Sequence, residues 1–124
     1  MEENKELLLK DLCARLPYGV KVRIYNPYRG GEYEYESITI NNFNEIINTF
    51  GISCIEILLF PMSSMTEEQR DEYQNTCNVG LNRWGDESYY ATDESVDWLN
   101  KNHFDYRGLI EKGLALDATG LNIY

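Results

Sequence analysis

His103 is the one histidine of this 124-residue chain, and its ring is the side chain that ordinarily titrates nearest neutrality. A general acid–base needs that property, so His103 is the first place to look for bond-making chemistry. Asp105 follows two positions on, but residues two apart on a helix do not face each other. Only a break between them would bring the pair together. Cys13, Cys54 or Cys77 as a nucleophile would have to reach His103 over long stretches of chain, and no spacing indicates it. A small hydrolase or accessory enzyme using His103, Asp105 and a cysteine is therefore an alternative reading. A packing or capping histidine is the simpler one, and no residue is assigned a catalytic role. Ser63 and Ser64 lack the glycines of a nucleophile elbow, and helix capping accounts for them. Gly108 and Gly113 have phosphate-loop spacing, but Leu114-Ala115 follows where lysine and a hydroxyl residue are required.

The carboxylates make a stronger pattern. Glu67, Glu68, Asp71, Glu72, Asp86, Glu87, Asp93, Glu94 and Asp97 are interrupted only by Arg70 and Arg83. A calcium loop would need alternating ligands around a glycine turn, whereas Asp93–Asp97 reads as helix. No metal and no cofactor is expected. Trp84, Tyr89 and Tyr90 lie within the acidic block and have the composition of an interface hot spot. They could equally cover the core beneath a long loop. The expected partner-binding set is Glu67, Glu68, Asp71, Glu72, Trp84, Asp86, Glu87, Tyr89 and Tyr90.

Charge limits the partner. The net charge is −10, of which residues 63–124 carry −7 from 12 acidic and 5 basic side chains. Phosphate binding needs lysine and arginine to displace counterions, so direct nucleic-acid binding is not expected. Anionic membrane surfaces are disfavoured for the same reason. The field suits a basic protein partner, or it serves solubility alone. Three cysteines, odd in number and without a C-x-x-C, fit neither a disulfide framework nor a zinc site. Cys13 and Cys54 read as small buried hydrophobes. The polar, acidic start is unlike a signal peptide, and the expected location is cytoplasmic.

The elements follow from periodicity. One domain, 1–124, suits this length. Leu8, Leu12 and Leu16, with Leu9 and Cys13 beside them, predict a helix over 4–16, capped by Asn4 and stopped at Pro17. Val20, Val22 and Ile24 alternate as a strand, and Asn26–Gly31 is turn chemistry. Tyr33 and Tyr35 alternate on the return strand. Pairing Tyr25 with Glu32 sets Arg23 against Glu34 and Lys21 against Glu36, with a bulge expected beyond Ser37. Asn42 with Glu45 predicts a boxed helix start before Phe43, Ile46, Ile47 and Phe50, ending at Gly51. Residues 52–60 read as a strand buried on both sides. Ser64 and Glu67 predict a capping box and a helix through Thr76, and 77–91 reads as an aromatic loop. Asp93 opens a helix carrying Val96, Leu99 and His103. Asp105 caps a second short one, stapled by Phe104 onto Leu109 and ended by Gly113, and Leu114 onward reads as apolar coil. The fold class is α+β: a small antiparallel sheet of about three strands, with an N-terminal helix and C-terminal helices packed on it.

Three stretches carry a resemblance: Leu12–Val22 (LCARLPYGVKV), Pro61–Glu68 (PMSSMTEE) and Asp97–Leu116 (DWLNKNHFDYRGLIEKGLAL). Together they resemble a family of small uncharacterised proteins from gut anaerobic bacteria, their phages and mobile elements. The resemblance implies mobile-element association and a fixed scaffold with a variable hairpin region, and it assigns no functional residues. The resulting expectation is a non-enzymatic, acidic interaction protein of phage or mobile-element origin that binds a host or phage protein. A narrower version has it inhibiting a nucleic-acid-binding defence protein by presenting a DNA-like negative surface.

Overall fold

A computed structural model describes residues 2–27 and 30–124; Tyr28 and Arg29, at the tip of the expected turn, lie outside the described residues. The order is α1 (Glu2–Arg15), β1 (Val20–Asn26), β2 (Glu32–Ile38), α2 (Phe43–Phe50), β3 (Ile55–Pro61), α3 (Glu67–Thr76), β4 (Asn78–Leu81), β5 (Glu87–Tyr90), α4 (Asp93–Lys101), β6 (Phe104–Asp105) and β7 (Ala115–Asp117). The class is α+β as expected, but the sheet is larger and mixed. Its path runs β2-β1-β3-β6, with β7 also on β3, and β4-β5 form a separate two-stranded sheet. β6 and β7 run parallel to β3, so the chain returns to the sheet twice after α4.

Those returns correct the reading of the C-terminal third. Phe104 and Asp105 are strand, and no α-helix follows them; residues 106–113 are bends and turns before β7. Phe104 therefore packs in a ladder instead of stapling a helix. Strands of two and three residues have too few positions for a period to show.

The buried core gathers Leu8 and Leu12 of α1, Val20, Val22 and Ile24 of β1, Ile38 of β2, Ile55, Ile57 and Leu59 of β3, Leu109 and Ala115. The stripe of α2 and the 3₁₀ turn Ile52–Cys54 pack against its rim. That turn shortens the expected strand over 52–60 at its start, while Pro61 belongs to the strand. Helix α1 begins at Glu2, so Asn4 is within it and is not its cap. Leu9 and Cys13 face solvent, and Cys54 is half-buried. The helix instead buries Leu8, Asp11, Leu12 and Arg15, the i, i+3, i+4, i+7 stripe next to the one expected.

The β1–β2 register is one residue from the charge-paired alignment. Val20 lies opposite Ile38, Val22 opposite Glu36 and Tyr25 opposite Tyr33, in a regular ladder with no bulge. Because a one-residue slip turns every side chain over, burying Ile38 with Val20 fixes the whole hairpin. Tyr33 and Tyr35 then share a face with Arg23 and Tyr25. Arg23 compensates by stacking on Tyr33 (4.1 Å to the ring centre) and binding Glu56 at 2.7 Å.

Helix starts also move. Thr66, not Ser64, caps α3: its hydroxyl accepts the Gln69 amide while Gln69 accepts the Thr66 amide. Thr92 and Ser95 form the same box on α4. Asn42 precedes α2 but makes no cap bond, its Oδ1 accepting the Thr39 amide instead. No helix among the described residues is long and apolar enough to cross a membrane.

Candidate interaction surface

His103 sits just past α4 in the left-handed region, at φ 66°. A non-glycine residue held there is uncommon, and its neighbours explain it. The ring stacks on Tyr124 with centroids 3.7 Å apart. The backbone carbonyl accepts the Phe60 amide at 2.8 Å, tying the break to β3. Burial, and then the charge of Arg15, hold the imidazole pKa down at about 4. At neutral pH it is an uncharged packing ring.

Asp105 does not partner that ring. Its two oxygens accept the amides of Leu109 and Ile110, both at 2.9 Å, closing the turn before β7. Thus Asp105 is a cap, as the residues suggest, but of a turn. Among the described residues, no group of three or more histidine, cysteine or acidic side chains is placed to hold a metal.

The polar centre that sequence reasoning missed is on α1. Asp11 and Arg15 are fully buried and bonded through Nε at 2.8 Å and Nη2 at 3.1 Å. Arg15 Nη2 also donates to the Phe104 carbonyl at 2.7 Å, and Arg107 approaches Asp11 at 3.4 Å. The i, i+4 spacing was the available signal. This cluster joins α1 to the α4–β6 break. Tyr124 adds a second tie: its hydroxyl accepts the Lys21 amide and donates to the Leu58 carbonyl, each at 2.8 Å. Removal from water pushes that hydroxyl's pKa up to about 12.

The expected partner-binding residues fall on the opposite kind of surface. The stretch read as an aromatic loop is an antiparallel hairpin, Val79 facing Tyr89 and Leu81 facing Glu87. Its turn is built by Asn82, whose Oδ1 accepts the amides of Trp84 and Asp86, and by Gly85 at φ 80°. Its base is clamped by Thr92, whose hydroxyl donates to the Thr76 carbonyl at 2.7 Å. Tyr73 of α3 packs on Trp98 of α4, and Trp98 stacks on Phe104 of β6, with centroids 5.6 Å apart in both pairs. Burial pushes the Tyr73 hydroxyl pKa up, helped by Cys77 beside it. The hairpin thus stands on a firm base.

Most of its apolar side chains stand open to solvent. Trp84 is 72% exposed, Leu81 70% and Val79 57%, and Tyr89 and Tyr90 are also exposed. The alternative that these aromatics cover the core is thereby corrected. Arg83 lies over the Trp84 ring at 4.5 Å. Glu67, Glu68, Asp71 and Glu72 on α3, and Asp86 and Glu87 on the hairpin, are all exposed. A single stretch of chain therefore brings exposed apolar and aromatic side chains together with six carboxylates. No protein-family model, curated protein or solved structure matches the chain.

Proposed function

We propose that this protein is a non-enzymatic, acidic interaction module that docks a basic protein against the α3 and β4–β5 surface. One observation carries the reading: Val79, Leu81 and Trp84 stand open to water on a hairpin whose base is clamped and whose surroundings are anionic. Exposed apolar groups grouped within a polar rim are what a binding surface requires. Nine carboxylates against two arginines between residues 67 and 97 would speed the encounter with a cationic surface and repel nucleic acid. The resemblance of the three sequence stretches to phage and mobile-element proteins is the support for seeking that partner among host or phage proteins. A nucleic-acid-binding defence protein, inhibited by a DNA-like negative surface, is the narrower form of this reading. The hydrolase alternative draws no support from His103, whose ring is taken up by Tyr124.

The test is differential capture from the native host, with and without phage infection. Wild-type protein is expected to retain a basic partner that elutes as salt rises, with affinity falling about tenfold or more across the physiological range. Trp84→Ala and Leu81→Ser are each expected to abolish retention while leaving the fold intact. Equal retention by both variants, or salt-insensitive binding, would overturn the proposal.

A further inference from the structure

A groove of about 550 Å³ separates α3 from the hairpin, lined by Asp71, Gln74, Asn75, Cys77, Val79 and Tyr89. Its two sides differ in chemistry for a reason visible in the chain. Asp71, Gln74 and Asn75 are spaced i, i+3, i+4 and so share one face of α3. Val79 and Tyr89 are a directly opposed cross-strand pair, which puts both side chains on one face of the hairpin. The result is a carboxylate and two carboxamides along one wall, and an aliphatic and an aromatic side chain along the other.

From this pairing we infer that the groove is an arginine subsite: it seats one arginine of an extended segment of the basic partner. The inference rests on the interaction reading above. The guanidinium forks onto the Asp71 carboxylate and lies against the Tyr89 ring, while its methylenes cover Val79. The side-chain carbonyls of Gln74 and Asn75 accept its remaining N–H groups. Lysine fits less well, because an ammonium cannot fork and is more strongly hydrated. Charge decides between occupants. An acidic ligand is repelled, and a second copy of this chain would bring the same nine carboxylates against their like.

The test uses the full chain and a capped pentapeptide alternating valine with arginine, beside its lysine and citrulline counterparts. Titration is followed by ¹H–¹⁵N shifts, including the side-chain amides of Gln74 and Asn75. The arginine peptide is expected to move those amides with Val79 and Tyr89, and the lysine peptide to bind several-fold more weakly. Asp71→Asn and Tyr89→Leu should each weaken binding about tenfold, whereas Asp97→Asn changes it less than twofold. Shifts spread evenly over the exposed carboxylates, equal effects of Asp71→Asn and Asp97→Asn, or no shift at millimolar peptide would overturn the subsite. So would a dimer that protects the groove without peptide. If capture from the host still depends on Trp84 and Leu81 in those cases, only the subsite fails and the docking surface stands.

Discussion

At the residue scale, ionisable side chains of this protein serve as structural devices. Asp11 and Arg15 neutralise each other in a place without water, and each would be costly alone. Asp11→Ala is expected to destabilise by roughly 3–5 kcal/mol, because it strands a buried guanidinium. Replacing both, by Asp11→Leu with Arg15→Met, should cost much less than the sum of the single changes; denaturant melts of the four proteins give the coupling. Additive losses would show that the pair acts as two unconnected groups. His103 gives a pH signature whose sign is fixed. Its folded pKa of about 4 lies below the ordinary 6.5, so below pH 6.5 the unfolded chain takes up a proton that the folded one refuses. The stability it contributes is complete above pH 6.5 and is lost as pH falls toward 4. Asn tolerates the left-handed backbone, so His103→Asn should flatten the fall in melting temperature over that window, relative to wild type. An unchanged slope would mean that the imidazole is not held neutral.

At the element scale, the α3–hairpin–α4 unit is held by its ends. Thr92 caps α4, accepts from the Ser95 amide and donates to the Thr76 carbonyl, so one hydroxyl closes both the helix and the hairpin base. Thr92→Val removes both hydroxyl bonds with little change in volume. It is expected to cost about 1–2 kcal/mol and to raise amide exchange across Asn78–Tyr90 more than across β1–β3. Uniform exchange throughout would deny the clamp. Much of this scale was legible in the residues. The apolar period gave α1 and the stripe of α2, alternation gave β1 and β2, and the capping pattern at Ser64–Glu67 gave α3 through Thr76, two residues from its true cap. What escaped detection has physical causes. The stripe of α1 was ambiguous between Leu9 with Cys13 and Asp11 with Arg15, and hydropathy favours the first. Burial of the second depends on the Phe104 carbonyl and Arg107, which are distant in sequence. The β1–β2 register looked set by charge pairs, but surface pairs are worth little beside burying Ile38. β4 and β5 are four residues each and exposed, so they lack the buried alternation by which strands are recognised. Asn82 and Gly85, which punctuate the turn, were masked by Asn78, Gly80 and Asp86, which made the whole stretch read as loop.

Across the whole molecule, apolar burial and the exposed acidic surface are separated. The mixed sheet carries the core, while the acidic hairpin unit is fastened to it through Tyr73, Trp98 and Phe104. The separation explains why this surface was only partly legible in sequence: the run of acidic and aromatic residues is visible there, but their exposure and the hairpin that aligns them are not. It also gives the most direct test. A photo-reactive benzoylphenylalanine placed at Leu81, on the hairpin, is compared in the native host with one at Leu9, on the exposed face of α1. A covalent adduct with a basic protein is expected from position 81 and none from position 9. Adducts of the same protein from both positions, or from position 9 alone, would contradict the proposed docking surface.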